Sequence, residues 1–122
     1  MIDIFPFVSE VLSETGAQVE LAESDICAKL PFIALTEVSN NSVVVTDGAE
    51  QVAAITIQLD IYDDTPEKVR SLAGVVSSVM ISRGFRRDDS RTMKEDELWR
   101  QMQEYSCYID AHHRIYSGSD LI

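Results

Sequence analysis

A chain of 122 residues with 45% hydrophobic and 25% charged side chains is sized and composed for one globular domain, which excludes a disordered tail and leaves little room for a second core. Its net charge of −11 excludes nucleic-acid binding through a dominant basic surface. The charge is also unevenly placed: residues 1–65 hold 12 acids against Lys29 alone, and residues 66–122 hold nine of each sign.

The chain begins Met1-Ile2-Asp3-Ile4-Phe5-Pro6, with an acid where a secretory leader carries Lys or Arg. The expected compartment is therefore cytoplasmic. The first periodic stretch predicts a helix over residues 2–14: Ile4, Val8, Val11 and Leu12 share a face, and Thr15-Gly16 supplies a stop. Pro6 fits such a helix only in its first turn. Residues 17–30 show no clear period beyond a short strand at Gln18 to Leu21.

A strand over 31–38 follows, apolar and led by Pro31. Ser39-Asn40-Asn41-Ser42 then has the composition of a turn, and Val43-Val44-Val45 before Thr46-Asp47-Gly48 reads as a loop arm that partly extends and then turns. The clearest strand covers 52–62, where Ile55, Ile57, Leu59 and Ile61 alternate with Thr56, Gln58, Asp60 and Tyr62. Its aliphatic face should pack on a helix, and its polar face should be wet or pressed against another subunit.

That helix is predicted over 66–83. Thr65 is a good N-cap, Pro66 sits at the favoured first position, and Glu67 lies beside the positive helix end. Val69, Leu72, Ala73, Val76, Val79 and Met80 make one apolar stripe, and Gly84 is a natural stop. Phe85 is expected to anchor the chain as it leaves the helix. The last third supports two periods. Leu98, Met102, Tyr105, Ile109, His112 and Tyr116 recur at helical steps, whereas Tyr105, Cys107, Ile109, Ala111 and His113 alternate as in a strand.

No constellation carries catalysis. Asp110-Ala111-His112-His113 is the only cluster that suggests a metal, and adjacent histidines point apart on a strand or a helix. Asp60, Asp63 and Asp64 gather before a helix whose dipole accounts for them, and Asp88-Asp89 follow in a later loop. The five glycines stand alone, with no phosphate-cradling loop and no nucleophile elbow. Cys27 and Cys107 follow no paired spacing and read as structural thiols. Arg83, Arg86, Arg87 and Arg91 form the one basic patch, which reads either as a solvated loop or as a contact for an acid or a phosphate on a partner.

Certain phrases, in this order, carry a family resemblance: a Leu30-Pro31-led strand with Glu37-Val38-Ser39-Asn40, a strand ending Leu59-Asp60-Ile61-Tyr62, and a capped helix ending Gly84-Phe85-Arg86-Arg87. A final segment with Tyr105-Ser106-Cys107-Tyr108-Ile109-Asp110 and Ile115-Tyr116 completes it. From residue 30 to residue 116 the chain resembles the tail terminator (tail completion, head–tail joining) proteins of long-tailed bacteriophages and prophages. The resemblance implies an α+β fold, a mixed or antiparallel sheet with helices packed on one face, with strands about 85–92 and a long bent strand over 99–116.

It further implies a structural virion protein with no catalytic residue and no cofactor. Such a protein would be a homo-hexameric ring at the head-proximal end of the tail, ending growth of the tail tube protein and meeting the head–tail connector. DNA would pass only as cargo, no membrane would be involved, and assembly would take place in the host cytoplasm. A head-to-tail ring joins two different patches. The expected subunit interface sets Arg83, Arg86, Arg87 and Arg91 against acids such as Asp60, Asp63 and Asp64. The expected ring-docking loop holds Asn40, Asn41, Asp47, Gly48 and Glu50. Competing expectations are a neck or minor capsid protein of the same build and a cytoplasmic oligomeric adaptor.

Overall fold

The computed structural model describes residues 1–22 and 29–116; Cys27 lies outside them. The fold is α+β, with two α-helices against one face of a six-stranded mixed sheet of order β1-β2-β3-β5-β4, in which β6 also pairs with β5.

Helix α1 spans Phe5–Leu12 and runs into a 3-10 turn at Ser13–Thr15, so the helix expected over 2–14 starts later. Pro6 has no N–H and is tolerated only in a first turn, and Asp3 Oδ1 accepts from the Phe5 N–H at 3.1 Å just ahead of it. Strand β1, Gln18–Leu21, pairs in parallel with the start of β2 at Phe32 to Leu35.

Strand β2 runs Phe32–Thr46 and β3 runs Ala49–Asp63. The turn expected at Ser39–Ser42 is absent: Ser39 pairs with Thr56, Asn41 with Ala54 and Ser42 with Ala53. The long ladder with β3 overrides the local turn preference of these residues. It does so with register shifts at Glu37/Ser39, Ser42/Val44 and Val44/Val45, of the kind that bend and twist a strand. The reversal lies at Asp47-Gly48, whose φ values of 53° and 76° make a two-residue type I′ turn.

Helix α2, Pro66–Ser82, is capped as expected: the Thr65 side chain accepts from the Lys68 N–H at 3.2 Å. At its far end the Gly84 N–H reaches Ile81 O and the Phe85 N–H reaches Met80 O, both at 3.1 Å. This is the Schellman pattern, and its apolar contact is supplied by the buried Phe85 and Met80. Strand β4, Arg86–Glu95, lies beyond β5, Leu98–Asp110, so β3 and β4 flank an antiparallel β5.

The long strand expected over 99–116 is two strands. It stops at Asp110, turns through 111–114 and returns as β6, Ile115–Tyr116, pairing Ile115 with Ile109. The helical period through Leu98, Met102 and Tyr105 loses to pairing on both sides of β5. The core is the inward face of β3 (Ile55, Ile57, Leu59, Ile61) with Ile33, Leu35, Tyr105, Cys107 and Ile109. It packs on Val8 and Leu12 of α1 and on Val69, Val76 and Met80 of α2.

Candidate functional site

The basic patch expected over Arg83–Arg91 is largely answered within its own chain. Arg83 pairs with Glu14 at 3.6 Å, Arg86 with Asp88 at 2.8 Å and Arg91 with Asp89 at 2.8 Å. Arg87 differs: its Nη1 donates to Ser77 Oγ at 2.9 Å, and it makes no ion pair with a described residue.

The acids expected opposite it do not form one exposed surface. Asp60 is buried on the helix-free face of the sheet, where it accepts from Arg100 Nε at 2.8 Å and from Gln58 Nε2 at 2.9 Å. Beside it the Tyr62 phenol is raised above its usual range by burial and then by the neighbouring Asp60 and Glu95 charges. Asp63 accepts from the Asp64 N–H at 2.8 Å, and Asp64 pairs with Lys68 at 3.1 Å one helical turn on. Asp63 and Asp64 thus hold the end of β3 to the start of α2, and Asp60 ties β3 to β5.

The segment expected as a docking loop is a hairpin arm. Its base is tied to the N-terminus: Asn40 Nδ2 donates to Ile2 O at 2.8 Å, and the Ile2 N–H donates to Glu50 Oε1 at 2.8 Å. The other Glu50 oxygen accepts from the Ser42 hydroxyl. This bond, followed by the one from Ile2, lowers the Glu50 carboxyl below its ordinary value. Asn40 and Glu50 are thus braces of the arm.

Beyond them every residue from Asn41 to Ala49 is exposed, and at about 3.3 Å per residue the tip stands about 15 Å past Ser42. Val43, Val44 and Val45 are 51%, 44% and 57% exposed. Among the described residues nothing pairs with the outer edge of β2 past Leu35. An uncovered edge with consecutive valines is what soluble proteins normally blunt. The opposite sheet edge, β4, is blunted by its charges.

The sheet and α2 enclose a second feature, a notch of about 180 Å³ lined by Arg70, Gly74, Arg87, Ser90, Gln101 and Gln103. Its floor is fixed by a buried relay: the Tyr105 hydroxyl donates to Gln103 Oε1 at 2.6 Å, and Gln103 Nε2 donates to Ala73 O at 3.2 Å. Burial pushes the Tyr105 phenol up to about 12, against the opposing pull of Ser77 and Arg87. Gln101 Nε2 donates to Ser90 Oγ at 2.7 Å. Arg70 and Gly74 were not singled out from the sequence; the one available signal was a glycine in the middle of a helical stripe.

No group of three His, Cys, Asp or Glu suited to a metal occurs among the described residues. Asp110 is spent on its own turn, and His112 contributes only a backbone N–H to it. Cys107 is buried in the core, which pushes its thiol up to about 12. No described helix is long and apolar enough to cross a membrane. A scan against family models and a search of curated proteins found no match to this chain.

Proposed function

We propose that this protein is a structural virion component of the tail terminator type, a ring at the head-proximal end of a phage tail that ends growth of the tube and meets the head connector. The observation that carries the reading is the β2–β3 arm, an exposed hairpin with three exposed valines and a strand edge that no described residue pairs with. A chain that stayed alone would keep that edge as an aggregation hazard. A chain that assembles uses it.

The order of elements and phrases from residue 30 to residue 116 supports the same family, and so does a sheet with its helices on one face. The partners under this reading are further copies of the chain, the tail tube protein and the connector, with DNA as passing cargo. No catalytic step is assigned.

The test is native mass spectrometry of the purified chain, alone and with the tube protein encoded near it. A six-copy assembly, free or formed only on the tube, is the expected result. A monomer or dimer indifferent to tube protein overturns the reading in favour of an adaptor. A second arm of the test replaces Val43, Val44 and Val45 with serine, which leaves the β2–β3 register in place. Tail attachment should be lost while the fold is kept, because the three side chains are exposed and lie outside the core.

A further inference from the structure

The seven arginines divide sharply. Arg83, Arg86, Arg91, Arg100 and Arg114 each pair with a carboxylate of their own chain. Arg70 and Arg87 pair with none among the described residues, and these two line the same notch. In a chain with 21 acids and ten bases, two guanidiniums left together over a floor of neutral amides and a hydroxyl form a receptor for an anion. The notch of about 180 Å³ admits one carboxylate side chain and is too small for a nucleotide.

Gly74 points the same way. It lies on the exposed face of α2, where a Cβ would meet nothing within 4 Å. Glycine there costs the helix about 1 kcal/mol relative to alanine, and no packing inside the chain requires it. What it keeps open is the notch. From there to the end of α2 the outer surface of the helix has no charge: Val75 and Ile81 are 48% and 53% exposed, with Ser78 and Ser82 beside them. A solvent-facing helix surface is normally charged.

We propose that this notch receives the carboxylate of Asp47 from a second copy of the chain, whose arm then lies along the outer face of α2. Asp47 is exposed, stands at the tip of the arm and has no hydrogen bond or ion pair with a described residue. No base occurs in sequence between Lys29 and Lys68 to neutralise it. The other hairpin tip, Asp96-Glu97, is flanked by Lys94 and by the Glu95–Arg100 pair. The spacing agrees as well. Three strand residues from Asp47 back to Val44 and seven helix residues from Gly74 to Ile81 both span about 10 Å, so valines meet Val75 and Ile81 when the carboxylate meets the guanidiniums. The contact joins two different patches, as a closed head-to-tail ring requires.

This contact deepens the ring reading and rests on it. The test is sedimentation velocity on the full chain and three variants, with thermal melts to check folding. Gly74→Leu fills the notch with a better helix former, and Asp47→Arg and the pair Arg70→Glu with Arg87→Gln reverse the two sides. Each variant alone should associate about tenfold or more weakly than the parent.

A one-to-one mixture of the two charge-reversed proteins should recover parental association, because each arm then finds a notch of opposite sign. Three results would each overturn the contact: variants that associate like the parent, a mixture that stays apart, or a parent that is monomeric up to about 1 mM. Inorganic phosphate bound at the notch with association unchanged would also overturn it, leaving a free-anion site. A hexamer on the tube that survives Gly74→Leu sinks this contact and keeps the terminator reading. A charge swap that works without any tube binding does the reverse.

Discussion

The Asp110 carboxylate closes the turn between β5 and β6 by accepting from the N–H groups of His112 and Arg114 at 2.8 and 2.9 Å. It also accepts from Arg114 Nε at 2.8 Å and from the Tyr116 hydroxyl at 3.0 Å. Burial acts to raise this carboxyl, and the Arg114 N–H, the Tyr116 hydroxyl, the guanidinium and the His112 N–H outweigh it, so the group titrates at about 2. A carboxyl depressed in the folded state stabilises the fold above its unfolded value near 4, and that gain is lost as pH falls through about 2. The Arg114 side chain is 67% exposed, so solvent screening leaves about 1–2 kcal/mol of the effect. Asp110→Asn should therefore cost about that much near pH 7, with the gap to the parent closing between about pH 4 and pH 2. Urea midpoints across that range measure it, and a gap that persists at about pH 2 would assign the loss to packing instead of charge. In sequence, Asp110 stood beside His112-His113 as the only hint of a metal. Which atoms a turn folds onto a carboxylate is set by backbone geometry that residue spacing does not encode, including the φ of 61° at His113.

Elements were legible where one local signal had no rival. Strand β3 alternates cleanly and α2 carries a cap at each end, so both lie within three residues of their expected bounds. Where local preference and long-range pairing disagreed, pairing won. Ser39–Ser42 has turn composition yet lies in a ladder with Ala53, Ala54 and Thr56, and β5 carries a helical period that its two neighbours overrule. The end of α2 shows how firmly one residue type can be fixed. Gly84 has φ 98°, and a Cβ there would sit 3.1 Å from both Cγ2 and O of Ile115. Relief would have to come from the backbone of β6, the strand that fills the ladder beside the start of β4. Gly84→Ala should destabilise the chain by about 2 kcal/mol or more, combining left-handed strain with the displacement of β6. A change in unfolding free energy below about 0.5 kcal/mol would show that β6 yields freely and does not stitch the sheet.

At the scale of the whole molecule two electrostatic effects compete when copies meet. A net charge of −11 makes every pair of copies repel over their full separation, and that repulsion is screened within about 10 Å at 0.1 M salt. An Asp47 contact with Arg70 and Arg87 acts at hydrogen-bond range, where salt screens a partly buried pair much less. The uneven charge was legible in the sequence as 12 acids against one base in residues 1–65. What it could not reveal is that most of the basic patch is neutralised by its own strand and neighbours, leaving Arg70 and Arg87, far apart in sequence, to share one notch. The two effects have different ranges, so association should not vary in one direction with salt. Raising the ionic strength from about 0.02 M to 0.15 M removes the long-range repulsion and should tighten self-association. Going on to about 1 M should loosen it again, as the short-range pair is finally screened. The measurement is the sedimentation-derived association constant at those three salts. A constant that keeps rising to about 1 M would mean that valine burial along α2 alone holds the copies together, with the arginines as bystanders. In Gly74→Leu the fall at high salt should vanish along with the contact, which separates this ion pair from any other on the surface.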